Sequence, residues 1–286
     1  MKPTFLLVVV AALTLPACSL QSIALRSMDG ILNNEMTAIM EEQDLILAEQ
    51  SVTGSLKLLD GLVKTDPENE HLLLMACQGY TSYTLAFAED SADRAQMLYT
   101  RAQGYGMRGL KLRGVPDSAF HAGADAMRAA LAKLSRDDVP MVFWTVNAWA
   151  SATNLQLNNP DALANLPTIN AMMSWVVEQD STYFYGGPLM YFGIYYGTIP
   201  VMFGGNPELS RSYFDRAASV NGGKFLMTQI FYAKTYAVQT QNETLYKALL
   251  KHVLDAPLED LPEQRLSNVV AKTRARHMLE HAADFF

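Results

Sequence analysis

The sequence predicts an all-α protein, a superhelical array of antiparallel helix pairs, on three observations. Apolar residues recur at three- and four-residue spacing, as Leu56, Leu59 and Leu62/Val63 do within 55–64, and no alternating run bounded by hairpin turns is found. Helix-breaking prolines at 67, 116, 160, 207 and 257 stand 49, 44, 47 and 50 residues apart, and each interval fits two helices. Segments without charge (72–88, 139–160 and 181–207) alternate with charged ones (89–113, 117–138 and 161–180). A helix apolar all round is buried and one with a charged face lies outside. The alternation therefore describes an inner and an outer layer of a curved array. The proline period exceeds the roughly 34 residues of a tetratricopeptide repeat, so the pairs read as irregular TPR-like units with long helices.

The elements follow in chain order. Lys2 precedes a short apolar run at 5–13, and Leu15-Pro16-Ala17-Cys18 comes next. The run is far below the roughly 20 apolar residues of a membrane-spanning helix and has the dimensions of a secretory signal. A cysteine directly after a small residue marks a bacterial lipoprotein signal, although Pro16 is a less usual residue at its place. Residues 1–17 are thus expected to be removed and Cys18 to be acylated. Three acyl chains exceed the two signals that stable anchoring needs. Ser19, in place of an aspartate, points to the outer membrane. Residues 18–40 are expected to form a lipidated tether and a first short helix, and 41–286 a single TPR-like helical domain. With Cys18 committed to lipid, Cys77 has no disulfide partner and reads as a small buried hydrophobe.

Composition limits the function. The chain has 286 residues, 22 basic and 29 acidic side chains, and a net charge of -7. Half of it is hydrophobic, which excludes wholesale disorder. No basic run exists to displace counterions from phosphates, which argues against a nucleic-acid partner. Two cysteines make neither a disulfide framework nor a Cys-rich zinc site.

The inner helices carry the candidate binding residues. Trp144, Asn147, Ser151 and Asn154 share a stripe at three- and four-residue spacing. Tyr191 and Tyr195 lie one turn apart in 183–205, a segment with five of the thirteen tyrosines and six glycines. Gln78 and Thr81 lie one turn apart on 72–88. Flat apolar faces mixed with a few neutral donors are what a small-molecule cavity needs, and the same residues can also simply fill a core. The expected wall is Gln78, Thr81, Trp144, Asn147, Ser151, Tyr191 and Tyr195. A carboxylate ligand would need charge from Lys224, Lys234 or a partner protein. The prolines, glycines and tyrosines of 183–205, and the lack of a basic flank, argue against a membrane span there.

Two motif matches fail on context. Gly104-Tyr105-Gly106-Met107-Arg108-Gly109 satisfies G-x-G-x-x-G, but helix precedes it where a dinucleotide site needs a strand. Close helix packing or a helix end explains it better. His277-Met278-Leu279-Glu280-His281 matches H-x-x-E-H, but only five residues remain for a further ligand. No catalytic constellation is found, and neither metal, cofactor nor enzymatic activity is expected.

A family resemblance rests on Phe143-Trp144 with Trp149 and on Phe203-Gly204-Gly205-Asn206-Pro207-Glu208. It continues through Tyr213-Phe214-Asp215-Arg216-Ala217, Gly222-Gly223-Lys224-Phe225-Leu226 and Tyr232-Ala233-Lys234-Thr235-Tyr236-Ala237. In order and spacing these resemble the T-components of TRAP transporters (TatT), over about residues 40–257. Asn206 departs from the acidic residue common at its place. The resemblance implies a periplasmic lipoprotein that assembles as a homotrimer with a tunnel through each subunit. It also implies a TRAP-type periplasmic solute-binding protein as partner and small, hydrophobic or carboxylated ligands. The alternative is a lipid-anchored TPR-like scaffold for protein–protein contacts in the bacterial envelope.

Overall fold

The computed structural model describes residues 27–286, so the expected signal segment and Cys18 lie outside the described residues. Within them every regular element is helical. The long helices are α1 (Asp29–Met40), α2 (Leu45–Thr65), α3 (Glu70–Phe87), α4 (Ala92–Leu112), α5 (Ala124–Leu131) and α6 (Val139–Asn154). After a single turn at Pro160–Leu163 come α7 (Leu166–Asp180), α8 (Tyr183–Thr198) and α9 (Pro207–Asn221). Then follow α10 (Met227–Tyr232), which runs into a π-helical turn at Ala233–Ala237, α11 (Glu243–Asp255) and α12 (Arg265–Glu280). No helix of the described residues is long and apolar enough to cross a membrane.

Short polar side chains set the helix starts. Asp44, Asn69, Asn206 and Asn242 each accept from a backbone N–H in the first turn of α2, α3, α9 and α11. Such caps satisfy donors that have no partner within the helix. Pro207 follows its cap at the first helical position, where a missing N–H costs nothing. Asn206, the departure from the family pattern, is therefore the cap of α9.

The charge-free segments became α3, α6 and α8, and these are the inner helices. α3 packs on α2, α4 and α6, and α6 packs on α3, α4, α7 and α8. α4 shows the one-sided pattern of an outer helix, burying Ala95, Leu98, Tyr99, Ala102, Gly106, Gly109 and Leu110. Its glycines let it approach α6 closely: a Cβ on Gly106 would run into Thr145, and one on Gly109 into Met141. The G-x-G-x-x-G match is thus a packing surface inside a helix.

The array does not stay open. In a solenoid each unit touches only its neighbours, whereas here α12 returns to pack on α1 and α2. Its Leu266 and Val270 join the main apolar core, while Ala271 and Ala275 belong to a second core formed with α10 and α11. Arg265 donates to the Glu41 carbonyl at 3.1 Å, beside the end of α1. α1, in the stretch 18–40 expected to hold a tether and a first short helix, packs inward through the buried Leu32 and Ile39.

Candidate functional site

Closure of the ring leaves a cavity at its centre. Its wall draws on α1, α2, α3, α6, α8, α10, the π turn and α12, and it is overwhelmingly apolar. The space open to water centres is about 270 Å³. One water takes about 10–15 Å³ on that measure, so there is room for a body of roughly twenty heavy atoms.

Thr81, Trp144, Asn147, Ser151, Tyr191 and Tyr195 all line this single cavity, together with Asn154. Gln78 does not: on α3 the wall begins at Gly79 and runs toward the C-terminal end. Several polar groups are already committed within the fold. Thr81 Oγ1 donates to the Cys77 carbonyl at 2.7 Å, and Asn147 Nδ2 to the Phe143 carbonyl at 2.8 Å. Tyr191 Oη donates to Asn170 Oδ1 at 2.7 Å, and burial pushes this phenol's pKa up. Lys234 lines the cavity and Lys224 does not.

Beyond the wall, similarity adds what geometry cannot. The family model for the TRAP transporter T-component matches residues 41–286. The chain belongs to the TRAP transporter T-component family. Membership associates it with a TRAP transport system in an accessory role. A protein of Treponema pallidum (strain Nichols), described as an uncharacterized protein, is 24% identical over 266 residues, 86% of this chain and 81% of the relative.

In this T-component two unusual backbone segments border the cavity. The first precedes the regular part of α8. Phe184, Tyr185 and Gly186 take successive left-handed conformations with φ of 44°, 60° and 80°. For non-glycine residues that costs about 1–2 kcal/mol each. Aromatic packing offsets it: the Phe184 ring meets Trp144 at 4.8 Å and Phe225 at 5.7 Å, both edge-on. Asn221 Nδ2 also donates to the Tyr185 carbonyl at 3.0 Å. The turn sets Phe184 into the cavity wall and leaves Pro188 in the first turn of the regular helix. The second segment is the π turn, which carries Lys234; Met227 and Phe231 of α10 precede it in the cavity wall at four- and three-residue spacing.

The charged members of the wall, among the described residues, are Glu89 and Lys234. Glu89 is neutralised: Arg274 of α12 reaches its Oε2 at 3.1 Å and also donates to the Leu85 carbonyl. Tyr99 Oη donates to the other Glu89 oxygen at 2.9 Å. Burial first, and then the Glu89 carboxylate, push the Tyr99 phenol's pKa up, with Ser151 offsetting part through a hydrogen bond. Sequence reasoning missed this cluster, because 185 residues separate Glu89 from Arg274. Tyr195 and Leu166 have a further position of note, since both also line a separate groove beside α5 and α7.

No group of three or more His, Cys, Asp or Glu side chains able to hold a metal occurs among the described residues. The rings of His277 and His281 stack at 4.2 Å near the end of α12, with His281 Nδ1 at 2.9 Å from the His277 carbonyl.

Proposed function

We propose that this T-component is a lipid-anchored periplasmic protein that binds or channels a small hydrophobic or carboxylated ligand in cooperation with a TRAP-type solute-binding protein. The observation that carries the reading is the apolar cavity at the centre of a closed helical ring, in a chain of this family. Trp144, Phe184, Tyr191 and Tyr195 supply flat apolar surface, and Asn147, Ser151 and Asn154 supply neutral polar groups on one side of it. Acylation at Cys18 holds the protein at the outer membrane, with the domain of residues 41–286 in the periplasm, and homotrimers are the expected assembly. The scaffold alternative is less favoured because α12 packs across α1 and α2, which removes the open concave face that solenoids offer to protein partners.

The test is binding of the neutral apolar fluorophore N-phenyl-1-naphthylamine to wild type and to Ala150→Trp, which places an indole in the cavity. Saturable binding by wild type, abolished in the filled variant, supports the reading. Equal binding by both, or none by wild type, defeats it. Cross-linking in intact cells should recover a TRAP-type solute-binding protein with wild type. Its absence there would remove the transport partnership.

A further inference from the structure

We infer that the cavity takes a singly charged anionic amphiphile, with Lys234 holding the head group and the apolar wall holding the chain. The inference rests on the cavity-binding reading above and names its ligand class.

Charge accounting comes first. Of the two charged side chains in the wall, Glu89 is held by Arg274 and Tyr99. Lys234 has neither an ion pair nor a hydrogen bond to any described residue. The wall therefore carries one uncompensated positive charge. Lys234 sits on the π turn, which packs against α8. The last turn of α8 brings Tyr195 and Thr198 to the same wall, and neither hydroxyl has a hydrogen-bond partner within the described residues. The wall thus offers one ammonium and, on the neighbouring helix, two free hydroxyls, donors of the kind an oxyanion takes. One ammonium balances one negative charge and leaves a second unpaired against an apolar wall, so a monoanion fits better than a dianion.

The surroundings select an amphiphile rather than a small hydrophilic acid. Ile194, Met190 and Phe231 belong to the same wall as Lys234. Ile199, also in the wall, leads into Val201 and Met202, which are 64% and 81% exposed. Val201 and Met202 thus form an apolar lip beyond the wall, and the exposed Lys234 can hold a charged end at the surface while a chain enters the cavity. The Ile199 carbonyl is fixed by Gln239 Nε2 at 2.8 Å, so the lip is anchored to the segment following the π turn.

Displacement of N-phenyl-1-naphthylamine from full-length protein tests this, with dodecanoate, dodecyl phosphate and dodecan-1-ol as competitors. Wild type should prefer an anionic competitor over the alcohol by on the order of tenfold, the range of one charge-assisted hydrogen bond. Lys234→Gln should erase the preference and Lys234→Arg should keep it. Dodecanoate should bind tighter than dodecyl phosphate, which is largely dianionic at neutral pH, and the reverse order overturns the monoanion assignment. Lys234 is exposed and unpartnered, so unchanged circular dichroism is expected for both variants. Equal affinity for alcohol and anions in wild type, or a preference that survives Lys234→Gln, overturns the inference and leaves the apolar cavity reading standing. Failure of the fluorophore itself to bind brings down both.

Discussion

Replacing Arg274 with alanine should unlatch the last helix from the ring. The Arg274 side chain is 23% exposed and Glu89 29%, so the pair is largely withdrawn from water. The substitution removes a charge-assisted hydrogen bond of about 1.5–3 kcal/mol and uncovers the Leu85 carbonyl, worth about 1 kcal/mol more. Water reaching the remaining carboxylate returns part of this, and Tyr99 still donates to Glu89. About 2–3 kcal/mol of stability should be lost. For a chain of this size each kcal/mol lowers Tm by about 2–4 °C, so thermal unfolding should begin about 5–10 °C earlier. A double-mutant cycle with Glu89→Gln isolates the pair, and its coupling should reach about 1 kcal/mol or more. A melting temperature within 2 °C of wild type, with no coupling, would show that α12 is held by apolar packing alone.

Two further outcomes are expected. Asp60 ties α2 to α3 and α4, accepting from Tyr105 at 2.7 Å and Tyr80 at 2.9 Å and pairing with Lys57 at 2.6 Å. Burial alone would raise its pKa, but the hydrogen bonds from Lys57, Tyr105 and Tyr80 outweigh that and hold it below the usual value. The stabilisation is therefore present at neutral pH and lost as pH falls through the depressed folded value, below about 4. Asp60→Asn should cost about 1–2 kcal/mol at pH 7 and flatten the acid limb of urea midpoints against pH; an unchanged acid limb would contradict the assignment. Cys77 is fully buried and its thiol is pushed up to about 12, so in a chain with Ser at position 18 it should react with a disulfide reagent at pH 8 only after unfolding. Stoichiometric labelling of the folded protein within seconds would refute that.

The layers of this fold were legible because burial on all sides demands an absence of charge, and long charge-free windows are easy to see. The stripe of Trp144, Asn147 and Ser151 was legible for the same reason: side-chain direction along a straight helix follows from spacing. Gln78 shows the limit, because spacing gives a face and not how far along the helix the cavity extends. The left-handed entry to α8 was hidden, since Phe184 and Tyr185 are poor candidates for positive φ and only the surrounding rings hold them there. Ring closure was equally hidden. Nothing local in 265–280 says that Leu266 and Val270 will meet α1 and α2, and the same holds for the Glu89–Arg274 pair. Lys234 could have been preferred over Lys224, because Met227, Phe231 and Lys234 already fall on one stripe.

Closure by α12 also has a consequence in time. The helix that covers α1 and α2 begins 200 residues after α2 ends, and at about 5–20 residues per second that gap takes roughly 10–40 s to synthesise. During that interval the nascent chain is an open trough whose apolar floor has no cover. A chain truncated after Asp255 would stay in that condition permanently, with the partners of Leu266 and Val270 exposed. Such a surface is what chaperones and proteases select. α12 thus acts as a certificate of completion for the ring, and a message damaged before it is read out as failure to persist rather than as a weakly active protein.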